Sequence, residues 1–250
     1  MKVTAADHAL AAHIASETGK ILVSLRSEQT AAGVSHHEMK DAGDLAAHRY
    51  IVDTLAAERP DDAVLSEEGA DDRERLGAER IWIVDPLDGT REFAEPPRVD
   101  WAVHIALVVD GRPVAGAVAL PAEGLVLDTT APPTLPSPVE RPRVIVSRTR
   151  RPPVAKRLAT ELDAEYIEMG SAGAKAMAVV RGDADIYAHS GGQYEWDSCA
   201  PVAVAEAAGL HCSRLDGAPM TYNNADPYLP DLLICRPEWA DRCLEIVSST

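Results

Sequence analysis

The chain has little aromatic character and few positive charges. Aromatic residues make up 4% of its 250 residues, with a single phenylalanine at Phe93, and 24 Lys and Arg stand against 40 Asp and Glu, for a formal net charge of −16. A duplex nucleic-acid binder needs a basic surface to neutralise phosphates, so this charge excludes that class. Because apolar residues still make up 46% of the chain, a disordered protein is excluded as well.

Long apolar runs and paired cysteine motifs are also lacking. No segment approaches the roughly 18 consecutive apolar residues of a membrane span, and residues 1–8 lack the basic and apolar stretches of a signal peptide. The four cysteines, at 199, 212, 235 and 243, contain no CxxC, which argues against a zinc site or a disulfide framework. We therefore expect a cytoplasmic protein, without nucleic-acid or membrane partners, whose cysteines are buried as small apolar groups.

The first half of the chain predicts helices followed by an antiparallel sheet. Amphipathic helices are predicted from about Thr4 to Arg26 and from about Asp44 to Glu58, with a mobile polar loop over residues 31–40 between them. Asp110-Gly111 is typical of a hairpin turn between two strands. The predicted strands lie at residues 63–65, 81–84, 101–109 and 113–120.

The second half predicts alternating strands and helices, as in α/β proteins. Five prolines between residues 132 and 142 suit a connection and place a domain boundary near residue 138. The predicted strands are 144–146, 164–167, 185–187 and 232–235, and the predicted helices are 154–162, 172–181, 198–208 and 238–247. The fold class is therefore α/β, with an α+β domain over residues 1–138 and an α/β domain over residues 139–250.

The most informative segment is Asp85-Pro86-Leu87-Asp88-Gly89-Thr90, directly after an apolar strand. Pro86 and Gly89 predict a sharp turn that brings Asp88 back toward Asp85. Two carboxylates this close repel one another unless a proton or a cation lies between them, and Mg²⁺ is the natural partner of oxygen-only ligands. The free amides of Gly89 and Thr90 would form an anion site beside it. Taken alone, an ordinary Asp-Gly turn explains the segment equally well.

Three other polar segments carry weaker signals. Glu67-Glu68 follows a short strand, where a solvated turn is the simpler explanation. Asp197 suits the N-cap of the following helix, a role that still allows one oxygen to bind a metal. The segment from His36 to Glu38 fits a solvated tract better than a metal site.

Together and in this order, these segments resemble the inositol monophosphatase superfamily of magnesium-dependent, lithium-sensitive phosphatases. The resemblance is carried by Glu67-Glu68, the segment from Asp85 to Thr90, and Trp196-Asp197-x-x-Ala200, with Asp44 lying 23 positions before Glu67. The context of Asp44 is similar to the CysQ branch, whose members remove the 3′-phosphate of 3′-phosphoadenosine 5′-phosphate in sulfate assimilation. The family implies a layered αβαβα sandwich.

The resemblance also implies roles for individual residues. Two or three Mg²⁺ ions would be held by Glu67, Asp85, the carbonyl of Leu87, Asp88 and Asp197, with Asp85 bridging two of them. Catalytic roles fall to Asp44, Thr90 and Glu68, which would orient the attacking water and relay its proton. The implied substrate contacts are Gly89, Thr90, Ser147, Arg148, Gly170, Ser171 and Lys175.

Alternatives remain open at this point. Arg148 is also explained as a surface residue after a strand, and Lys175 as part of a solvated helix face. In the leading interpretation, the substrates are 3′-phosphoadenosine 5′-phosphate and 3′-phosphoadenosine 5′-phosphosulfate. In the alternative, the substrate is inositol monophosphate or fructose 1,6-bisphosphate. A non-catalytic anion- or metal-binding regulator is disfavoured, because every implied ligand side chain is present. A homodimer is common in the family.

Overall fold

Two five-stranded sheets alternate with three layers of helices in a computed structural model that describes residues 3–249. The helices are α1 (Ala5–Ala31), α2 (His36–Glu58), α3 (Thr90–Phe93), α4 (Pro153–Glu161), α5 (Ala172–Arg181), α6 (Glu195–Ala207) and α7 (Pro237–Ser248). The strands are β1 (Ala63–Ser66), β2 (Arg80–Asp88), β3 (Ala102–Val109), β4 (Arg112–Leu120), β5 (Leu125–Asp128), β6 (Arg143–Ser147), β7 (Glu165–Met169), β8 (Ile186–Tyr194), β9 (His211–Ser213) and β10 (Tyr228–Cys235).

The first sheet has the strand order β1-β2-β3-β4-β5, parallel between β1 and β2 and antiparallel elsewhere. The second has the order β7-β6-β8-β10-β9, in which β6 runs parallel to both β7 and β8. Helices α1 and α2 cover the outer face of the first sheet, α5 and α6 fill the space between the sheets, and α4 and α7 cover the second sheet. The predicted αβαβα sandwich is confirmed.

Strand β3 shows why strands of the first sheet have nearly continuous apolar sequences. Ala102, Ala106 and Val108 face the middle helix layer, whereas Val103, Ile105 and Leu107 face α1 and α2. A strand that is buried on both faces has no polar side to alternate with. The middle layer joins the two halves of the chain in one core, because α6 packs on β2, β3 and β4. The boundary near residue 138 stays a prediction.

The predicted mobile loop over residues 31–40 is wrong, because α2 begins at His36. Ser35 Oγ accepts a hydrogen bond from the Glu38 amide, and the Ser35 amide donates to the Glu38 carboxylate, which together form a capping box. Gly43 then lets the helix lie against the sheet, since a Cβ there would fall 2.8 Å from the Phe93 ring and 2.9 Å from Leu87. Asp44 is therefore held in the middle of a long helix.

Other predictions agree with the structure in outline. Asp110 and Gly111 have φ angles of 50° and 71°, as expected for a tight hairpin. Strand β5 was not predicted, and β8 and β10 are longer than their apolar cores suggested. Within residues 3–249, the cysteines are free thiols and mostly buried. None of the helices in that range has the length and apolar character needed to cross a bilayer.

Candidate active site

A bulge in β2 brings two aspartates to one face of the first sheet. Asp85 pairs with His104 and Asp88 pairs with Ala102, so three steps along β2 oppose two steps along β3. In a regular strand, side chains three residues apart point to opposite faces, but one extra residue restores a common face. The predicted turn after Asp85 is therefore a bulge within a strand that continues to Asp88.

Asp197 completes a cluster of three carboxylates. Oxygen atoms of Asp85, Asp88 and Asp197 lie within 4.8 Å of one another. Asp197 comes from the first turn of α6, where its Oδ2 accepts a 2.7 Å hydrogen bond from the Tyr194 amide. The expected N-cap role of Asp197 is wrong, because the helix begins at Glu195 with Tyr194 as its N-cap. The carboxylate thus caps the helix from its third position and still faces the cluster.

The negative charges of the carboxylates in this cluster repel one another. Asp85 is 1% exposed, and its burial, together with the charges of Glu67 and Asp88, raises its pKa well above the usual range. Burial and the charge of Asp88 raise the pKa of Asp197 to about 6. Although much of Glu67 is exposed, its carboxylate contacts Asp85, and desolvation with the charge of Asp197 raises its pKa to about 7. The cluster therefore holds protons near neutral pH unless a cation replaces them.

Asp88 differs from its neighbours because donors surround it. Its Oδ2 accepts hydrogen bonds from the Ser171 hydroxyl and, at 2.7 Å, from the Gly173 amide. His104 Nε2 lies 3.3 Å from the same oxygen, outside hydrogen-bond geometry. Burial alone would raise the pKa of Asp88, but the His104 contact and the donors outweigh it and hold that pKa below its ordinary value. The pKa of His104 is raised in turn, because Asp88 outweighs the effect of its burial.

The donor set fits a hard divalent cation. Carboxylate oxygens are the ligands that Mg²⁺ and Ca²⁺ prefer, and the convergent groups here, Asp85, Asp88 and Asp197, supply only such oxygens. The Glu67 carboxylate contacts Asp85 and therefore lies beside the same cation site. Asp85 also accepts a 3.1 Å hydrogen bond from the Leu87 amide, which fixes the carboxylate inside the bulge. A bound cation would remove the repulsion that raises these pKa values.

The three predicted catalytic residues lie on one side of the cluster. Asp44 is half-buried on α2, and burial followed by the charges of Glu68 and Asp41 raises its pKa to about 7, against the lowering effect of the Thr90 hydroxyl. Thr90 Oγ1 also donates a 3.1 Å hydrogen bond to the Leu87 carbonyl. The structure thus brings Asp44, Thr90 and Glu68 close to one another.

A cavity of about 280 Å³ opens beside Asp88 and Asp197. Six of the seven predicted substrate contacts line it, and they are Gly89, Thr90, Ser147, Gly170, Ser171 and Lys175. Lys175 is 4% exposed, so the alternative of a solvated helix face is wrong. Its Nζ donates to the carbonyls of Gly170 and Ser171 and lies 5.4 Å from the centre of the Tyr187 ring, and burial lowers its pKa to about 8.

Arg148 is the predicted contact that does not line the cavity. Its guanidinium is held by two carboxylates, those of Glu92 and Glu95. Arg150 lines the cavity instead, where its guanidinium donates to the Gly192 carbonyl and has no ion-pair partner within the described chain. Two residues apart after the same strand, the arginines could not be distinguished by sequence alone.

Sequence reasoning also missed several other polar residues around the site. His104 lies beneath the carboxylates, and the remaining missed residues line the cavity; they are Arg91, Glu92, Tyr187, His189 and Gln193. For Gln193, the available signal was the polar composition of residues 190–194. His104 stands in the otherwise apolar run Ala102–Val109, and that interruption was the signal for it.

Known proteins include relatives that are similar to this chain in sequence and in structure. The sequence profile described as the inositol monophosphatase family matches residues 2–249. A 3′-phosphoadenosine 5′-phosphate phosphatase of Mycobacterium leprae (strain TN) is 49% identical over 96% of this chain and 93% of its own length. The 3′(2′),5′-bisphosphate nucleotidase CysQ of Escherichia coli (strain K12) is 34% identical over 75% of this chain and 81% of its own. The crystal structure of CysQ from Bacteroides thetaiotaomicron superimposes with a TM-score of 0.81 at 26% identity, covering 92% of this chain and 97% of that one.

Proposed function

Since the chain belongs to the inositol monophosphatase family, we propose that it is a metal-dependent phosphatase that removes the 3′-phosphate of 3′-phosphoadenosine 5′-phosphate. The observation that carries this proposal is the convergence of three carboxylates, two buried and one partly buried, beside a cavity that also contains cationic side chains. Relatives named for this activity are about half identical over most of the chain. 3′-Phosphoadenosine 5′-phosphosulfate is proposed as a second substrate.

Glu67, Asp85, Asp88, Asp197 and the Leu87 carbonyl would hold the metal, which we propose to be two or three Mg²⁺ ions. A bound divalent cation lowers the pKa of water and neutralises charge on the attacking and leaving oxygens. Asp85, at the centre of the cluster, is the proposed bridging ligand. The donors around Asp88 lower its pKa and so favour the ionised form, which is the form that binds a cation.

The chain's own residues would handle the proton of the attacking water. Asp44 has a pKa raised to about 7, which suits a group that accepts a proton near neutral pH. The Thr90 hydroxyl contacts this carboxyl and donates to the Leu87 carbonyl. It would orient the water and, by turning toward Asp44, give up its own proton while it accepts one from the water. Glu68 adds negative charge on the same side. The backbone of Gly89 and Thr90, which lines the cavity, would bind phosphoryl oxygens.

The rest of the cavity would hold the nucleotide and its second phosphate. Lys175 and Arg150 supply positive charge there, and Ser147, Gly170 and Ser171 supply small polar edges. Arg150 takes the place that sequence reasoning gave to Arg148, because no carboxylate of residues 3–249 forms an ion pair with its guanidinium. A bisphosphate approaching a protein of net charge −16 needs such local cations, in addition to the metal, to overcome repulsion.

A comparison of substrates tests the proposal. Protein supplied with Mg²⁺ is offered 3′-phosphoadenosine 5′-phosphate, inositol 1-phosphate and fructose 1,6-bisphosphate, and phosphate release is measured for each. We expect the highest kcat/KM for the nucleotide, and loss of all turnover in EDTA. A higher kcat/KM for either sugar phosphate would overturn the assignment, and no turnover of any substrate would favour a non-catalytic binding protein. The homodimer and the cytoplasmic location stay predictions.

A further inference from the structure

A fully buried histidine lies beneath the carboxylate cluster. His104 is 0% exposed on β3, and it pairs with Asp85 across the strands, so the two side chains share a face. The neighbouring residues on that face, Ala102 and Ala106, are apolar and pack in the middle layer. Burying an imidazole in such surroundings costs free energy unless its nitrogens meet polar partners.

Both nitrogens of His104 face elements that carry the proposed metal ligands. Nδ1 lies 3.0 Å from the Trp196 carbonyl, and because a carbonyl only accepts, Nδ1 is the donor. Trp196 directly precedes Asp197 in the first turn of α6. On the opposite side of the ring, Nε2 lies 3.3 Å from Asp88 Oδ2 in the β2 bulge. One rigid ring therefore spans the gap between the backbone beside Asp197 and the carboxylate of Asp88.

The third contact comes from α5. Gly173 packs so closely on His104 that a Cβ at this position would overlap Nε2. The Gly173 amide donates to the same Asp88 oxygen that His104 faces. The first turns of α5 and α6 and the bulge of β2 thus close around the imidazole, and its size sets how far apart they stand.

We propose that His104 is a positioning residue that fixes the distance between Asp88 and Asp197, and thereby the affinity of the metal site they share. This inference rests on the proposed function, since it assumes that these carboxylates hold a divalent cation. His104 does not touch the reacting atoms in this account. It acts through its contact with Asp88 and through its hydrogen bond to the backbone beside Asp197, as residues placed behind metal ligands commonly do.

Three substitutions separate the contacts. His104→Asn keeps a donor near the Trp196 carbonyl and loses the reach to Asp88, whereas His104→Gln reaches toward Asp88 and gives up the Trp196 bond. Gly173→Ala keeps the imidazole side chain but displaces it, because the new Cβ would overlap Nε2. His211→Asn is the matched control, because His211 lies on the edge strand β9, bonded to Ser213 and outside the cavity.

The test uses the full chain, freed of metal, with Mn²⁺ as the probe in isothermal titration calorimetry. We expect Mn²⁺ to bind about 10- to 100-fold more weakly to the two His104 variants and to Gly173→Ala, and normally to the control. In assays, excess metal should restore kcat with the nucleotide KM unchanged. Thermal unfolding in EDTA identifies any variant that fails to fold, and the Mn²⁺ affinities of the folded variants test the positioning role.

The outcomes distinguish this inference from the proposed function. If the unsubstituted protein binds no Mn²⁺, the metal-dependent function fails, and this inference falls with it. If that protein binds Mn²⁺ and the folded variants bind it equally well, the positioning role is wrong while the proposed function stands. A defect in kcat that excess metal cannot restore would likewise overturn the positioning role.

Discussion

Replacing Asp85 by Asn should abolish metal-dependent turnover and yet stabilise the metal-free protein. The Asn side chain has the same shape and keeps an oxygen that accepts from the Leu87 amide. It removes a buried carboxyl group whose ionised form is repelled by Asp88 and Asp197 at distances within 4.8 Å. The change therefore removes the proposed bridging ligand and relieves repulsion at the same time, and the two effects are measured separately.

The size of the stabilisation follows from Coulomb's law. At 4.8 Å and an effective dielectric constant of about 20, each ionised pair costs about 3.5 kcal/mol. Proton uptake by the cluster already relieves part of this cost at neutral pH, since the pKa of Asp85 is raised well above the usual range. We expect a net gain of about 1–3 kcal/mol in EDTA at pH 8, which corresponds to a rise in Tm of roughly 2–10 °C.

Asp88→Asn is the matched control, with the opposite expected sign. Asp88 accepts from Ser171 and Gly173 and has its pKa lowered by His104 and these donors, so loss of its charge should destabilise the metal-free protein. Differential scanning calorimetry in EDTA and phosphate release with Mg²⁺ measure the two variants side by side. Near-normal activity of Asp85→Asn would refute the bridging role, and a lower Tm than the unsubstituted protein would refute the repulsion argument.

Three further predictions follow from the site. In EDTA, the free energy of unfolding should fall between about pH 5 and 8, because Glu67 and Asp197, with pKa values raised to about 7 and about 6, hold protons that the unfolded chain has already released; urea titrations that show a rise over this range would contradict it. Arg150→Gln should raise the KM for the bisphosphate far more than that for 3′-AMP, whereas Arg148→Gln should not discriminate; equal effects of the two variants would be the contrary result. Gly89→Ala should lower the free energy of unfolding by about 1–2 kcal/mol, because the backbone is left-handed there, and should also reduce kcat, because the new Cβ would lie 3.2 Å from the Asp100 carbonyl. Gly33→Ala, with a φ of +68° and open space around it, should lower stability only. An unchanged kcat in both variants would refute the steric argument.

Periodicity and turn residues were enough to predict most of the helices and strands, whereas their layered arrangement was expected from the family resemblance. Helix α1, with its apolar stripe, and strand β3, with its continuous apolar run, were predicted near their observed positions. The start of α2 was missed because its first turns are largely exposed and carry no apolar stripe. The Ser35-x-x-Glu38 capping box was the only local signal there, and it is satisfied by hydrogen bonds that periodicity does not register.

The site was predictable where chemistry follows residue type and unpredictable where it depends on geometry. The proximity of Asp85 and Asp88 was expected from the turn residues between them, and the presence of Asp197 beside them was expected from the family resemblance. The bulge that makes it possible depends on the register between β2 and β3, which no local pattern encodes. The choice between Arg148 and Arg150 depends on where Glu92 and Glu95 lie, and these residues are more than 50 positions away in the chain.

Crystals grown with Mn²⁺ and inorganic phosphate test the central claim most directly, because anomalous scattering locates manganese without reference to the protein. The account predicts anomalous peaks between Asp85, Asp88 and Asp197, with phosphate beside Gly89 and Thr90. An ordered cluster with no manganese within reach of those three carboxylates would contradict it.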